Sequence, residues 1–318
     1  MWLAEIMLQQ TQVQTVIPYF ERFIAELPNL ASLAEASEEK VLALWSGLGY
    51  YSRARNLHAT ARRCMQDHGG ALPNSFEALM ALPGIGRSTA GAILAQAHGM
   101  PFAILDGNVK RVLTRWRGIE GWPGERAIEA QLWDLSRSLL PTERLADYTQ
   151  ALMDLGATAC KRSKPDCDHC PVRSDCIAQR EGRVAYVPTP RPRKAIPQRH
   201  CLMLLARDIE GRVLLQRRQG SGVWQGLWSL PEAMDETSLG HLVSAQIAAP
   251  FHCRALAAIE HTFSHYRLLI TPMLADPVTQ RVGIADTDED WRWVAADAWP
   301  SLGLPAPVRR LLLAQASL

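Results

Sequence analysis

Residues 82–94, LPGIGRSTAGAIL, place one glycine on each side of Ile85 and continue directly into a helical pattern. The residues before them are also helical in pattern, so the stretch predicts a helix–hairpin–helix. Gly84 and Gly86 allow close approach of the backbone, and the N–H groups and dipole of the second helix favour an anion. Such a hairpin binds the phosphates of a DNA backbone without recognising the base sequence. The alternative is an ordinary helix–helix turn.

Length and composition set broad limits. The chain has 318 residues, of which 47% are hydrophobic, so two domains can each bury a core. A net charge of +2 neither demands nor excludes a nucleic-acid partner. No apolar run reaches transmembrane length, and the first residues, MWLAEIMLQQ, lack the pattern of a secretory signal. We therefore expect a cytoplasmic protein that has no membrane partner.

The pattern of the chain changes once. Residues 1–180 read as helices with short breaks, and residues 181–198 are rich in Pro, Arg and Lys, as in a semi-rigid linker. Residues 199–318 mix short β-like runs with helices. The prediction is a mainly α domain over 1–180, a linker over 181–198 and an α+β domain over 199–318.

Four of the seven cysteines lie close together in the sequence, with the spacing Cys-x6-Cys-x2-Cys-x5-Cys: Cys160, Cys167, Cys170 and Cys176. In a reducing compartment such a cluster favours a metal over disulfides. Four thiolates suit either zinc or a [4Fe–4S] cluster, and chemistry alone does not separate the two. A zinc ribbon usually has two Cys-x2-Cys pairs, whereas this chain has one.

Asp106 follows the hairpin, in LDGNVKRVLTR, where it has the position of a helix N-cap. A helix–hairpin–helix followed by this aspartate resembles the helix–hairpin–helix, Gly/Pro, Asp superfamily of DNA base-excision glycosylases. The resemblance implies that Asp106 is catalytic as well as capping. It also implies a [4Fe–4S] cluster on the four cysteines, as in the endonuclease III and adenine glycosylase branches.

Ser88 and the first sixty residues distinguish the branches. Bifunctional relatives have a lysine at the position of Ser88, whose amine forms a Schiff base and leads to strand cleavage. Serine cannot form that imine, so we predict base removal without strand cleavage. Residues 4–23, AEIMLQQTQVQTVIPYFERF, and 44–57, LWSGLGYYSRARNL, closely resemble bacterial adenine DNA glycosylases. The resemblance implies removal of adenine mispaired with 8-oxoguanine or guanine.

The resemblance assigns roles to individual residues. Glu5, in an apolar helix where burial raises a carboxyl pKa, would protonate adenine and later act as base for the attacking water. Asp106 would stay ionised and stabilise the oxocarbenium-like sugar. The distance between the two cannot be read from the sequence. Seven residues are expected to contact DNA, either as a wedge that holds open the gap left by the flipped base or at the DNA backbone. They are Gln10, Leu48, Tyr50, Gly84, Gly86, Ser88 and Lys110. Some of the basic residues that follow Asp106, among them Arg111 and Arg115, are further candidates for phosphate contacts.

Residues 199–318 resemble a Nudix-like domain. The dense Arg-Glu and Glu-Glu helix that holds magnesium in Nudix hydrolases is missing, so we predict no pyrophosphohydrolase activity. The resemblance gives Phe263, Ser264 and His265, in HTFSHYRL, the recognition of 8-oxoguanine. A strand end with a local Ser–His hydrogen bond is the alternative for these three residues.

Two other functions remain open at this point: an endonuclease III-type pyrimidine-damage glycosylase/lyase and a non-catalytic DNA-lesion-binding protein. The expected partner is double-stranded DNA containing 8-oxoguanine:adenine pairs, bound by a monomer associated with the bacterial nucleoid. Replication and mismatch-repair proteins are further candidate partners. Met1 opens directly into helical periodicity without a cap, where the family has about thirty preceding residues. We expect lower stability or activity from their absence.

Overall fold

The computed structural model describes residues 1–192, 195–246, 253–278 and 290–316. The chain forms two compact units. The first contains Met1–Gln10 and Ala59–Arg193, and the second contains Thr11–His58 and Lys194–Leu318. The division at 1–180, 181–198 and 199–318 stays a prediction, and two residues of the linker, Arg193 and Lys194, lie outside the described residues.

Helices dominate the first 180 residues, as the sequence predicts. They are α1 (Trp2–Leu8), α2 (Val13–Glu26), α3 (Leu30–Glu35), α4 (Glu38–Trp45), α5 (Ser52–Asp67), α6 (Phe76–Met80), α7 (Arg87–His98), α8 (Gly107–Arg117), α9 (Arg126–Ser138), α10 (Leu145–Asp154), which continues as a π-helical turn (Leu155–Ala159), and α11 (Ile177–Arg180).

Local chemistry explains several helix ends. Ser37 and Ser75 each accept a hydrogen bond from a backbone N–H of the first turn and so cap α4 and α6. Gly99 and Gly118 end α7 and α8 in the left-handed conformation that glycine adopts without steric cost.

The core of the first unit lies where α8 and α9 meet the extended segment before α8. Its buried members include Ile104, Val109, Leu113 and Leu132. α8 is strongly amphipathic because its apolar residues recur at helical spacing, and Val109 and Leu113 lie on its buried face. This packing fixes the start of α8, where Asp106 lies.

The second unit contains a mixed sheet. Its strands are β1 (Gln198–Asp208), β2 (Val213–Arg217), β3 (Trp228–Ser229), β4 (Glu232–Ala233), β5 (Cys253–Ala255), β6 (Ile259–Thr262), β7 (Arg267–Val278) and β8 (Trp291–Val294). The helices associated with this sheet are α12 (Glu236–Gln246), a 3-10 turn (Ala296–Ser301) and α13 (Ala306–Ala316).

The sheet is built around the long parallel pair β1 and β7, with the path β3-β2-β1-β7-β5. Residues 203–206 of β1 are buried in succession, as expected for a strand that is covered on both faces. Leu204, Leu214 and Leu239 pack on one side of it. β6 and β7 form an antiparallel hairpin in which Thr262 pairs with Arg267. Over the ranges that the structure describes, no helix is long and apolar enough to cross a membrane.

Candidate active site

The hairpin between α6 and α7 has the predicted form. Gly84 has a φ of +74°, and Gly86 is the N-cap of α7. No side chain caps the first turn of α7. Gly84 and Gly86 are exposed, whereas Ile85 between them is buried. The turn thus presents backbone and the positive end of a helix dipole to solvent, the arrangement that binds a phosphate.

Asp106 caps α8. Its Oδ1 accepts a hydrogen bond from the Val109 N–H at 2.7 Å. The residues before it are held on both sides, because the Ser88 Oγ accepts from the Leu105 N–H at 2.9 Å and the Ser136 Oγ donates to the Ile104 carbonyl at 2.8 Å. Ser88 therefore binds the backbone next to Asp106.

α7 also lies against this segment through a glycine. A Cβ added at Gly91 would be 2.5 Å from the carbonyl oxygen of Ala103. Only glycine permits this approach without displacement of the backbone. The position of Asp106 is thus determined by α7, α8 and α9 together.

Glu5 lies on α1 and is partly buried. Burial raises the pKa of Glu5 above its ordinary value of 4.5, and the negative charge of Asp106 raises it further, while the N-terminal ammonium opposes both. The structure therefore brings together the two carboxyl groups that the sequence analysis selected. The end of α1 is joined to α7 by a hydrogen bond of 3.2 Å from Nε2 of Gln9, the residue after α1, to Thr89 Oγ1.

Lys110 forms an ion pair with Glu129, with an Nζ–Oε1 distance of 2.6 Å. A contact between Lys110 and a DNA phosphate would therefore compete with Glu129. The proposed DNA contact of this lysine stays a prediction.

Two of the arginines that follow Asp106 serve the cysteine region. Arg115 is 4% exposed, and its guanidinium donates to the carbonyls of Val187 and Lys161 at 2.8 and 2.7 Å. Arg111 donates to the carbonyls of Cys160 and Gly156, both at 2.7 Å. These bonds make Arg115 a poor candidate for a phosphate contact and attach the cysteine region to α8.

The four cysteines line one small cavity beside α8. Its walls also include Val112, Arg115 and Trp116, and one guanidinium nitrogen of Arg115 is 3.5 Å from Cys160 Sγ. Four cysteine sulfurs next to a buried guanidinium fit an anionic thiolate-bound group. Among the described residues, no three His, Cys, Asp or Glu side chains converge to hold a single metal ion.

The three predicted wedge residues differ in exposure. Gln10 is exposed and has a φ of +57°, two residues after the end of α1. Tyr50 is 49% exposed with a φ of +49°, whereas Leu48 is only 6% exposed. Tyr50 and Gln10 are presented to solvent, and Leu48 packs inward as the loop stands.

Phe263, Ser264 and His265 form the turn of the β6–β7 hairpin, which is closed by a hydrogen bond from the Phe263 N–H to the Tyr266 carbonyl at 2.9 Å. Ser264 and His265 are exposed at its tip. Ser264 Oγ lies 3.4 Å from His265 Nδ1, so the local Ser–His contact of the alternative interpretation is present. It occupies neither residue fully, because both side chains still face solvent.

The sequence analysis did not select Trp224, which packs on this turn. Its ring centroid is 5.0 Å from that of Phe263 and 5.4 Å from that of His261. The Tyr266 ring flanks Phe263 at 4.6 Å. Trp224 lies in the segment SGVWQGLW, where a tryptophan among glycines is a signal of a packed loop that the sequence reading passed over.

The site can be compared with known proteins. Residues 3–138 match the HhH-GPD superfamily of base excision DNA repair proteins, and residues 202–314 match the NUDIX domain. The adenine DNA glycosylase of Buchnera aphidicola from Acyrthosiphon pisum is 36% identical over 318 residues, which cover 98% of this chain and 88% of that protein. The human adenine DNA glycosylase is also 36% identical, over 84% of this chain and 59% of its own length.

Solved structures give the same fold for the helical part. A thermostable thymine-DNA glycosylase is similar with a TM-score of 0.50 and 26% identity, covering 57% of this chain and 83% of that one. An endonuclease III–DNA complex has the same TM-score at 22% identity, which shows the fold alone. The similarity to the Buchnera enzyme over 98% of this chain, with the two family matches, identifies the chain as a member of the adenine DNA glycosylases, base-excision repair enzymes with an HhH-GPD region followed by a Nudix domain.

Proposed function

We propose that this adenine DNA glycosylase removes adenine opposite 8-oxoguanine, with Glu5 as the general acid and base and Asp106 as the stabilising carboxylate. One observation carries the assignment of the catalytic residues: Glu5 is partly buried, and both this burial and the charge of Asp106 raise its pKa. Two carboxyl groups in different environments are the arrangement that glycoside hydrolysis uses.

The chemistry follows from those environments. Adenine is a poor leaving group unless it is protonated, and the raised pKa of Glu5 favours the protonated carboxyl that would transfer a proton to the adenine ring. The C1′–N9 bond then breaks, and the electron pair leaves with the base. Asp106 stabilises the cationic sugar through its negative charge. Glu5, now ionised, accepts a proton from the water that attacks C1′, and the base-free sugar remains in an intact strand.

Ser88 supports base removal without strand cleavage. Its hydroxyl accepts the Leu105 N–H bond, and a hydroxyl has no amine with which to form an imine on the sugar. The pyrimidine-specific glycosylase/lyase is therefore disfavoured by the chemistry of this position as well as by family membership.

The DNA contacts form two groups. Gly84 and Gly86 would bind a backbone phosphate at the start of α7, with Lys110 joining after release from Glu129. Gln10 and Tyr50 would enter the duplex as the adenine leaves the stack, since both are exposed. We assign buried Leu48 the support of that loop.

The exposed turn at Phe263, Ser264 and His265 would contact 8-oxoguanine. Ser264 and His265 offer hydrogen-bonding atoms at the tip, while Phe263 is held from behind by the rings of Trp224 and Tyr266. Aromatic rings that hold the turn rigid beneath exposed polar groups suit recognition of the edge of a modified nucleobase.

Cys160, Cys167, Cys170 and Cys176 would hold the [4Fe–4S] cluster. The cavity that all four line, the single Cys-x2-Cys pair and the neighbouring guanidinium of Arg115 support this donor set. A bound cluster would supply sulfur–iron bonds that cross-link the loop after α10. Arg111 and Arg115 would transmit that rigidity to α8, which Asp106 caps.

The proposal places the enzyme on the DNA of a bacterial cytoplasm as a monomer, with replication or mismatch-repair proteins as further partners. The test is single-turnover cleavage of a labelled duplex with one adenine opposite 8-oxoguanine, analysed with and without hot alkali. We expect a nick only after alkali. A nick without alkali would contradict the role of Ser88, and tight binding without product would favour a non-catalytic lesion-binding protein.

A further inference from the structure

The loop between α4 and α5, residues 47–50, is held in an unusual backbone conformation. Gly47 and Gly49 have φ values of +101° and +78°, and Tyr50, which is not a glycine, has a φ of +49°. A left-handed tyrosine persists only where its surroundings hold it, because the conformation is disfavoured for residues with a Cβ. We call residues 47–50 the wedge loop, since Tyr50 is its exposed residue.

Side chains of α4 and α5 hold the middle of the wedge loop. The carbonyl of Gly49 accepts hydrogen bonds from Trp45 Nε1 at 3.0 Å and from Arg53 Nη2 at 3.2 Å. The Gly47 N–H donates to the Tyr51 hydroxyl at 3.1 Å. Each of these bonds involves the loop backbone, so they fix its path rather than its side chains.

The two residues that flank the wedge loop are bound to the turn before α13. Tyr51 OH donates to the Leu304 carbonyl at 3.2 Å. Ser46 Oγ donates to the same carbonyl at 3.3 Å and accepts from the Leu304 N–H at 3.2 Å. Arg309 Nη2 completes the group with a bond of 3.0 Å to Ser46 Oγ. One backbone turn of the sheet-containing region therefore binds both ends of the loop.

These contacts are enclosed. Ser46 is 2% exposed and Tyr51 is 7% exposed, and burial raises the pKa of Tyr51, so its hydroxyl stays protonated as a donor. Gly303, which precedes Leu304, lies so close that an added Cβ would be 3.2 Å from the Cβ of Leu42 on α4. Buried hydrogen bonds with this little room have no water to replace a lost partner, so each is costly to remove.

A second set of contacts joins the same two parts of the chain. Glu39 Oε1 on α4 accepts from Trp228 Nε1 at 3.0 Å and pairs with Arg292 at 3.1 Å. Arg55 of α5 donates to the Gln225 carbonyl at 2.8 Å. The attachment of α4 and α5 to the sheet is therefore extensive, and the Leu304 turn is the part of it that reaches the wedge loop.

We propose that Ser46, Tyr51 and Arg309 are positioning residues through which the Leu304 turn keeps the wedge loop in its strained, DNA-ready conformation. The inference rests on the proposed role of Tyr50 as a wedge. The Nudix-like part of the chain then contributes to unstacking of the adenine, in addition to any contact that it makes with 8-oxoguanine. The step it favours is extrusion of the base, because only that step requires Tyr50 to stand in place.

The test uses a duplex with 2-aminopurine in place of the adenine opposite 8-oxoguanine, whose fluorescence rises when the base leaves the stack. Tyr51→Phe removes the bond to Leu304 and leaves the Gly47 N–H without its acceptor. We expect the unstacking equilibrium to fall about 5- to 30-fold, the effect of losing one to two hydrogen bonds, with duplex affinity changed by less than about twofold. Tyr186→Phe, at a residue 75% exposed, removes a hydroxyl elsewhere and is expected to match the wild type.

A double-mutant cycle separates positioning from general destabilisation. Tyr50→Ala removes the wedge side chain, so Tyr51→Phe should add little in that background. Equal effects of Tyr51→Phe with and without Tyr50, or no effect in either, would overturn the inference. No effect of Tyr50→Ala alone would refute the wedge role and the inference with it. Should Tyr51→Phe not fold, Ser46→Ala is measured in the same cycle, with the same outcomes.

Discussion

Asp106 has two roles that substitution separates, because its carboxylate caps α8 and, in the proposed mechanism, stabilises the reacting sugar. The cap is one hydrogen bond of 2.7 Å from the Val109 N–H to Oδ1. Asparagine keeps an oxygen at that place but removes the charge, and alanine removes both. Asp106→Asn should therefore lose activity alone, whereas Asp106→Ala should lose activity and stability.

The magnitudes follow from the contacts. Replacing an N-cap by alanine costs about 1 kcal/mol, whereas asparagine caps as well as aspartate does. For a unit of this size, 1 kcal/mol lowers the melting temperature by about 2–4 °C. Loss of one group that stabilises a transition-state charge slows the chemical step by about 100- to 1,000-fold. We expect that loss of rate in both variants and the lower melting temperature only in Asp106→Ala.

The assay is single-turnover excision from the 8-oxoguanine:adenine duplex, combined with thermal melting. A matched control exists at Asp235, whose Oδ1 accepts the Ser238 N–H at 2.7 Å at the start of α12. Asp235→Ala should lower stability by a similar amount and leave the excision rate unchanged. An excision rate for Asp106→Asn within about threefold of the wild type would refute the catalytic role of the charge. Equal melting temperatures for Asp106→Asn and Asp106→Ala would refute the capping argument.

Three further outcomes are expected. The pKa of Glu5 in the folded protein is raised above 4.5, so between these two pKa values the folded state keeps a proton that the unfolded chain loses. The free energy of unfolding of the wild type should therefore fall, relative to that of Glu5→Gln, as the pH rises through this window. Urea titrations at pH values below and above the window measure this, and a constant difference would contradict it. Arg115→Met leaves three backbone carbonyls without their donor and should lower the free energy of unfolding by about 3 kcal/mol. Bound iron, measured by absorbance, should be lost as well. An unchanged melting temperature would contradict this prediction. Gly91→Ala forces a Cβ against the Ala103 carbonyl and should destabilise the protein by about 1–2 kcal/mol. The control is Gly240→Ala in α12, which has open space for a Cβ and should not destabilise the protein. Equal thermal stability of the two variants would contradict the packing argument.

Local sequence was sufficient for the helices and their ends. Asp106 caps α8 as predicted, and Ser37 and Ser75 cap α4 and α6 in the same way, because a capping side chain reaches a backbone N–H only three residues away. The turn at Gly84 is equally local, since its φ of +74° is a conformation that glycine adopts without steric cost. The change from helices to short strands also follows from periodicity, which predicts the α and α+β character of the two parts.

The site depended on contacts between distant residues. The sequence contains Glu5 and Asp106 a hundred positions apart, and only packing of α1 and α7 around the start of α8 places one carboxyl where it raises the pKa of the other. Arg115 reads as one of several basic residues, yet it is buried against the cysteine region. Charge alone does not say which arginine faces solvent.

The wedge loop shows the same division in a single segment. Its composition, Gly-Leu-Gly-Tyr, determined a tight turn, because glycine is needed for the positive φ values at Gly47 and Gly49. That Leu48 packs inward, that Tyr50 faces solvent, and that a turn more than 250 residues later binds both ends of the loop were decided by the tertiary structure. Local conformational preference acts over a few bonds, so neighbouring residues in the sequence are enough to predict it. Burial and long-range hydrogen bonds exist only once the chain has folded.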